Sequence, residues 1–435
     1  DGNQTPGIDF TTEDKQRISK ILDDLGVDYI EGGYPGANPI DNEFFSSPPK
    51  LSNSKFVSFG MTKRPGRSIS NDSGFQELIS HKTDAICFVA KSWDFHVEKA
   101  LGCSLEENII SIEDSVSEAT SSHKEVMVDC EHFFDGYKNN KSYAKLCVKA
   151  AFEKGARWIV LCDTNGGTLP HEIKEIVMDI CKIVPGSNLG IHAHNDTGNA
   201  IANSLTAVIA GVRQIQGTMN GIGERCGNAD LISIIPTLIL KKSFNEKFNI
   251  SVSNESLSNI RKTSLIIDDI INRAPNKQAP YVGDSAFSTK AGIHASAIVK
   301  DPKTYEHVEP HTIGNERKLL ISDQGGKSNI VATLNNIGIK THKEDQRIAE
   351  LLNIVKEREA AGYTYESALA SFEILSRQIF GQETEFFKVE SFRTMVERRN
   401  NAKGELITVS EATVKVEVDG ERYMSSGEGN GPINA

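Results

Sequence analysis

Between residue 1 and about residue 240, short apolar runs alternate with stretches of helical periodicity, and that alternation leaves few folds open. The runs are Val27–Ile30, Phe56–Phe59, Ala85–Val89, Val126–Val128, Trp158–Leu161, Leu189–Ile191 and Gln214–Gly217. Within Thr12–Leu25, the apolar residues Ile18, Ile21, Leu22 and Leu25 follow the i, i+3, i+4, i+7 spacing of one helix face, with Thr11 and Thr12 as candidate N-caps. Lys145–Lys154 and Ala200–Ala210 have the same character, the second apolar enough to pack on a sheet. Such alternation dictates a parallel sheet with crossover helices. A closed (β/α)8 barrel needs eight strands and seven are visible. The chain opens on Asp1, not Met, and ends in the turn-rich run 427–435, so it reads as an internal piece of a longer protein. The expected fold is therefore a TIM barrel lacking its first strand, with Asp1 at that strand's tip. An open doubly wound sheet is the alternative.

Composition narrows the function classes. No apolar run reaches the roughly 18 residues of a membrane span; the best, Leu231–Leu240, is broken by Ser233 and Pro236. A net charge of −11 without a basic block argues against nucleic acid and acidic membranes as partners. Seven scattered cysteines with no CxxC read as reduced thiols of a cytoplasmic protein.

In a barrel of this kind the chemistry sits at the C-terminal ends of the strands. Those tips carry Asp1, Glu31, Lys91, Glu131, Asp163–Thr164, His192 with His194, and Asn220. On a strand, residues two apart share a face, so His192 and His194 can offer two imidazoles to one metal, with carboxylate or water completing the shell. A pair of plain core histidines is the competing reading, weakened by Asp1 and Glu131 on other tips. The run Gly221–Ala229 resembles a dinucleotide loop only superficially, because its third glycine is one place late and it follows the last strand. Its glycines are better used to lower Asn228 and Glu224–Arg225 towards the metal centre, the competing reading being a turn with Arg225 in a structural ion pair. Glu131, followed by aromatic residues, is a candidate for proton transfer if those neighbours desolvate it. Asp163–Thr164 offers a carboxylate and a hydroxyl for a substrate carboxylate or a bound water, or else caps the next helix. Glu31 is read as a structural partner for an arginine on the first strand.

These motifs together resemble the 2-isopropylmalate and homocitrate synthase family, acyl-CoA-condensing enzymes on a metal-dependent barrel. Asp1-Gly2-Asn3-Gln4 is similar to the family's opening Arg-Asp-Gly-x-Gln without its arginine. His192-x-His194-Asn195-Asp196 and Gly221-x-Gly223-Glu224-Arg225-x-Gly227-Asn228 match in order and spacing. Segments 30–36, 131–137 and 163–167 look most like the citramalate-type subgroup. The resemblance implies condensation of acetyl-CoA with a 2-oxo acid, pyruvate for this subgroup, followed by thioester hydrolysis, in isoleucine biosynthesis. It implies a divalent metal (Zn, Mn or Mg) on Asp1, His192 and His194 with Asn228 close by, and Glu131 as the catalytic base. It further implies His294 as the base's partner, often across a homodimer, and Gln4 and Thr164 as 2-oxo acid contacts. The expected domains are a catalytic barrel at 1–245, helical linker subdomains at 246–380, and at 381–435 the start of a truncated α+β regulatory domain that binds an amino-acid end product. Three other readings stand beside it: an isopropylmalate synthase using a larger 2-oxo acid, a carbon–carbon lyase on the same barrel, and a non-catalytic metal-binding protein.

Overall fold

The seven apolar runs form the seven strands of one parallel sheet, hydrogen-bonded in sequence order. They are β1 (Tyr29–Glu31), β2 (Lys55–Met61), β3 (Ala85–Lys91), β4 (Glu125–Glu131), β5 (Trp158–Asp163), β6 (Leu189–Ala193) and β7 (Gln214–Gln216). The structure, a computed structural model, describes residues 1–122, 124–382 and 386–435. Two contacts show that the sheet curls on itself as a barrel wall. Trp158 Nε1 on β5 donates to the Tyr29 hydroxyl on β1 at 3.0 Å, and Gln216 Nε2 on β7 donates to Asp129 Oδ1 on β4 at 2.9 Å. Neither pair belongs to neighbouring strands, so both bonds cross the lumen.

The two faces of the wall bury different side chains, as period-2 alternation requires. On β3, Ile86 and Phe88 pack outward with Val128, Leu161 and the helices, whereas Ala85 and Cys87 pack inward with Met127, Val160 and Trp158. The helices are where periodicity places them. Thr12–Leu25 starts at a capping box between Thr11 and Asp14 and ends at Gly26, whose φ of 92° only glycine adopts cheaply. Ala200–Ala210 is helical over the expected span, whereas the helix expected from Lys145 begins at Lys141, capped by the Asn140 side chain. Its first two residues, Lys141 and Ser142, are polar, so apolar spacing alone does not mark the start.

The chain divides into two compact units, Asp1–Ser288 with Pro302–Lys318, and Thr289–Asp301 with Leu319–Ala435. The second unit has its own core, in which Leu334, Ile348, Leu351, Val355 and Phe372 from three helices meet. The last of those helices begins at Leu369, and ahead of it Tyr365 is buried, its hydroxyl accepting from Arg358 Nη1 at 2.8 Å. Beyond it, Lys388–Asn400, Leu406–Val418 and Glu421–Gly429 form an antiparallel sheet. The final turn is Asp419–Gly420, both at positive φ, as the Asp-Gly signal demands. Among the described residues, no helix is long and apolar enough to cross a membrane.

Candidate metal centre

A cavity of about 1010 Å³ opens within the first unit, and Asp1, Gln4, Glu31, Glu131, Thr164, His192 and His194 all line it. The ligand-capable atoms of Asp1, His192 and His194 lie within 4.8 Å of one another. His192 Nε2 is 3.5 Å from Asp1 Oδ2, and the two imidazole rings are 5.1 Å apart. Both histidines are buried in the wall.

Two buried atoms beside this cluster have no hydrogen-bond partner, His194 Nδ1 and Asn228 Oδ1. Such orphans are costly, and a cation is one group that satisfies a lone-pair donor. Burial, then the neighbouring His192 and Arg225, hold His194 down at about 3, so its imidazole is neutral at neutral pH, the form that ligates metals. The donor set of one carboxylate, two imidazoles and an amide oxygen therefore suits a divalent ion.

Asn228 reaches this place because of the glycine loop. Gly221, Gly223 and Gly227 all take positive φ, and a Cβ on Gly227 would stand 1.9 Å from the Gly221 carbonyl oxygen. On Gly223 it would stand 2.1 Å from Asn228 Nδ2. The loop folds tightly enough to form an antiparallel bridge between Asn228 and His194. Arg225 is the structural ion pair that the sequence allows: it grips both oxygens of Asp196, at 2.8 and 3.0 Å, and the Thr164 carbonyl at 2.6 Å.

The Thr164 hydroxyl accepts from the His132 backbone N–H at 2.9 Å, which leaves its proton to donate into the cavity. Gln4 ends a single 3-10 turn at the rim. Glu131 forms an ion pair with Lys91. The aromatic residues that follow it, Phe133 and Phe134, are fully buried in the sheet–helix core. Asp163 is a structural group: its carboxylate accepts from the Thr168 hydroxyl at 2.8 Å and from the Thr168 backbone N–H. Asn220 is likewise structural, bonded to Ser264 and Asp268. Glu31 lies in the cavity beside Asp129 and Cys87, and burial pushes both carboxyls up. His294 is on the helix Gly292–Lys300 of the second unit. What the motifs did not mark is the support beneath His192, where Gln216 and Asp129 join it in one hydrogen-bonded chain.

A parallel barrel wall with this rim is the architecture of the HMGL-like proteins, and a family model of that description matches residues 1–264. A homocitrate synthase post-HMGL domain-like model matches residues 281–362, and the LeuA allosteric (dimerisation) domain matches residues 366–435. The chain belongs to the family of the (R)-citramalate synthases and 2-isopropylmalate synthases. The (R)-citramalate synthase of Aquifex aeolicus is 45% identical over all of this chain and 81% of its own length. A 2-isopropylmalate synthase of Sulfurisphaera tokodaii is 32% identical over 82% of this chain and 88% of its own. Among solved structures, the HMG-CoA lyase of Bacillus subtilis superposes with a TM-score of 0.53 at 18% identity, over 63% of this chain and 91% of that one. That likeness is one of fold.

Proposed function

We propose that this protein condenses acetyl-CoA with pyruvate and hydrolyses the thioester, giving (R)-citramalate and free CoA. The observation that carries this reading is the 45% identity to a citramalate synthase across the whole chain, against 32% to an isopropylmalate synthase. The rim geometry supports it. Asp1, His192 and His194 would hold a divalent metal, with Asn228 Oδ1 close by as a fourth ligand. When bound, such an ion polarises a keto carbonyl and stabilises the negative charge that develops on its oxygen.

The chain's own groups supply the rest. The Thr164 hydroxyl, its lone pair taken by the His132 N–H, donates to the 2-oxo acid carboxylate, with Gln4 beside it on the rim. Glu131 removes a proton from the acetyl methyl group, and the carbanion so formed attacks the keto carbon to make the new carbon–carbon bond. Lys91 holds the Glu131 carboxylate at the tip of β4. His294, on the helix Gly292–Lys300, returns a proton to the new alkoxide. Water then cleaves the thioester and CoA leaves as the thiol.

The protein works as a homodimer, a reading supported by the match of its C-terminal region to a dimerisation domain. Its seven free cysteines suit a reducing compartment, and we assign it to the cytoplasm. The deciding experiment measures CoA release from acetyl-CoA against a series of 2-oxo acids, with chiral analysis of the product. Pyruvate as the best substrate supports the reading; preference for a branched five-carbon 2-oxo acid replaces it with the isopropylmalate reaction.

A further inference from the structure

Beneath the metal centre, three side chains from three strands form one hydrogen-bonded line. His192 Nδ1 (β6) meets Gln216 Oε1 (β7) at 2.7 Å, and Gln216 Nε2 meets Asp129 Oδ1 (β4) at 2.9 Å. Gln216 stands directly across from His192 in the β6–β7 register, so the first contact is set by the sheet itself. Asp129 is on the far side of the lumen and is buried.

An amide is ambidentate: either end can face an imidazole. If its oxygen faces His192, Nδ1 must carry the proton and Nε2 keeps its lone pair. If its NH₂ faces His192, the proton moves to Nε2, the nitrogen that points at Asp1. Asp129 removes the ambiguity: its ionised form only accepts, and the hydrogen bonds from Gln216 and Cys87 favour that form against the burial that pushes this carboxyl up. It takes the Gln216 NH₂, which turns the amide oxygen to His192.

We propose that Asp129 and Gln216 are positioning residues that fix the Nδ1–H tautomer of His192 and so keep its Nε2 open for a metal ligated with Asp1 and His194. The inference rests on the metal reading above but is tested partly without metal. Outer partners of this kind typically carry about 10–100-fold in metal affinity.

The test exchanges donor and acceptor. Asp129→Asn leaves two amides in line, and both can turn, so nothing fixes which end of Gln216 faces His192. Combining it with Gln216→Glu restores one acceptor-only group, now moved to the middle of the line. The carboxylate introduced at position 216 accepts from His192 Nδ1–H and from the new amide at position 129. Two readouts apply to the full chain. Nitrogen-15 spectra of histidine-labelled, metal-free protein, recorded at a pH where the spectra themselves show the ring neutral, report the His192 tautomer, its signal identified by loss in His192→Asn. Titration calorimetry with Zn²⁺ and Mn²⁺ reports affinity.

The wild type should show the Nδ1–H form. Asp129→Asn should show a mixture of the two tautomers and bind metal at least about tenfold more weakly, and the double variant should recover both properties to within about threefold. An Asp129→Asn protein with unchanged tautomer and affinity overturns the proposal. So does a double variant no better than Asp129→Asn alone, which would mark lost packing and not donor order. A wild type that binds neither ion sinks the metal reading, while the tautomer arm still decides this one.

Discussion

Lys91 and Glu131 stand directly across from each other in the β3–β4 ladder, and their side chains close an ion pair at the barrel rim. Register brings them together: one residue of slip between the strands would leave the two side chains on opposite faces of the wall. The pairing gives the proposed base a fixed position. Glu131→Gln should therefore leave 2-oxo acid binding nearly intact while lowering turnover about a hundredfold or more, as for loss of a general base. Lys91→Met, which frees the carboxylate from its anchor, should lower turnover by a smaller factor. Steady-state kinetics with calorimetric substrate binding separate the two; an equal loss in binding for Glu131→Gln would recast that residue as a ligand.

The metal reading depends on three elements converging, and each can be removed. His192→Ala should abolish bound divalent metal and activity together, since one of two imidazoles is lost. Asn228→Ala should weaken metal binding by about tenfold, because it removes the buried, partnerless Oδ1 together with the Nδ2 bond to the Ile222 carbonyl. Metal content by mass spectrometry after dialysis checks both, and full occupancy in His192→Ala would end the assignment.

The glycine loop gives a prediction about backbone. Gly227 has φ of 86° and its missing Cβ would collide with the Gly221 carbonyl. Gly227→Ala should cost about 1–2 kcal/mol from left-handed strain alone, more from the clash. Because the loop carries Asn228, metal affinity should fall with stability. Thermal melts with and without added metal distinguish this from a loop that merely relaxes, for which the metal-induced gain in Tm would be unchanged.

Burial, reinforced by the Asp268 carboxylate against the backbone N–H groups of Ile232, Gly221 and Asn220, pushes Asp230 up to about 7 from an ordinary 3.8. Between those values the folded state holds a proton that the unfolded state has released. Stability therefore falls as pH rises through that window and levels off above about 7. Asp230→Asn keeps an oxygen for the cap that now accepts from Ile232 N–H at 3.1 Å, and lacks the titration. It should match the wild type near pH 4 and exceed it at pH 8 by on the order of 2 kcal/mol. Urea melts at the two pH values decide it, and a variant equally or less stable at pH 8 contradicts the prediction.

Much of this architecture is legible in the sequence because its signals are local. Strands β2 to β6 carry apolar runs, since both faces of a parallel wall are buried. His192-x-His194 declares its geometry by spacing, and Thr11 with Asp14 declares a helix start. The supports of the site are hidden because they arise across the lumen. Asp129 and Gln216 are 87 residues apart and meet only when the sheet curls. A hint was present: Gln214-Ile215-Gln216 places two polar side chains on one face of a strand that should be apolar. Asp163 misled for the opposite reason, since its helix-side partner Thr168 lies five residues on and satisfies its carboxylate before any ligand could.

The C-terminal sheet offers a test of the proposed dimer. Directly opposed residues in an antiparallel ladder share a face, and Phe392 opposes Val414, Val396 opposes Ser410, and Tyr423 opposes Val416. One face of this sheet is therefore rich in apolar side chains, yet Phe392 is 74% exposed and Val396 51%. Apolar area of that kind on a region matching a dimerisation domain is the expected seat of the subunit contact. Burying one such side chain stabilises an interface by about 1.5–3 kcal/mol, so Phe392→Asp should weaken the dimer by at least about tenfold. Adding Val396→Asp should weaken it further. Both positions are exposed strand sites within the subunit, so its own melting temperature should change little. Sedimentation equilibrium over a concentration series reads the dissociation constant. An undiminished dimer in the double variant would move the subunit contact off this face.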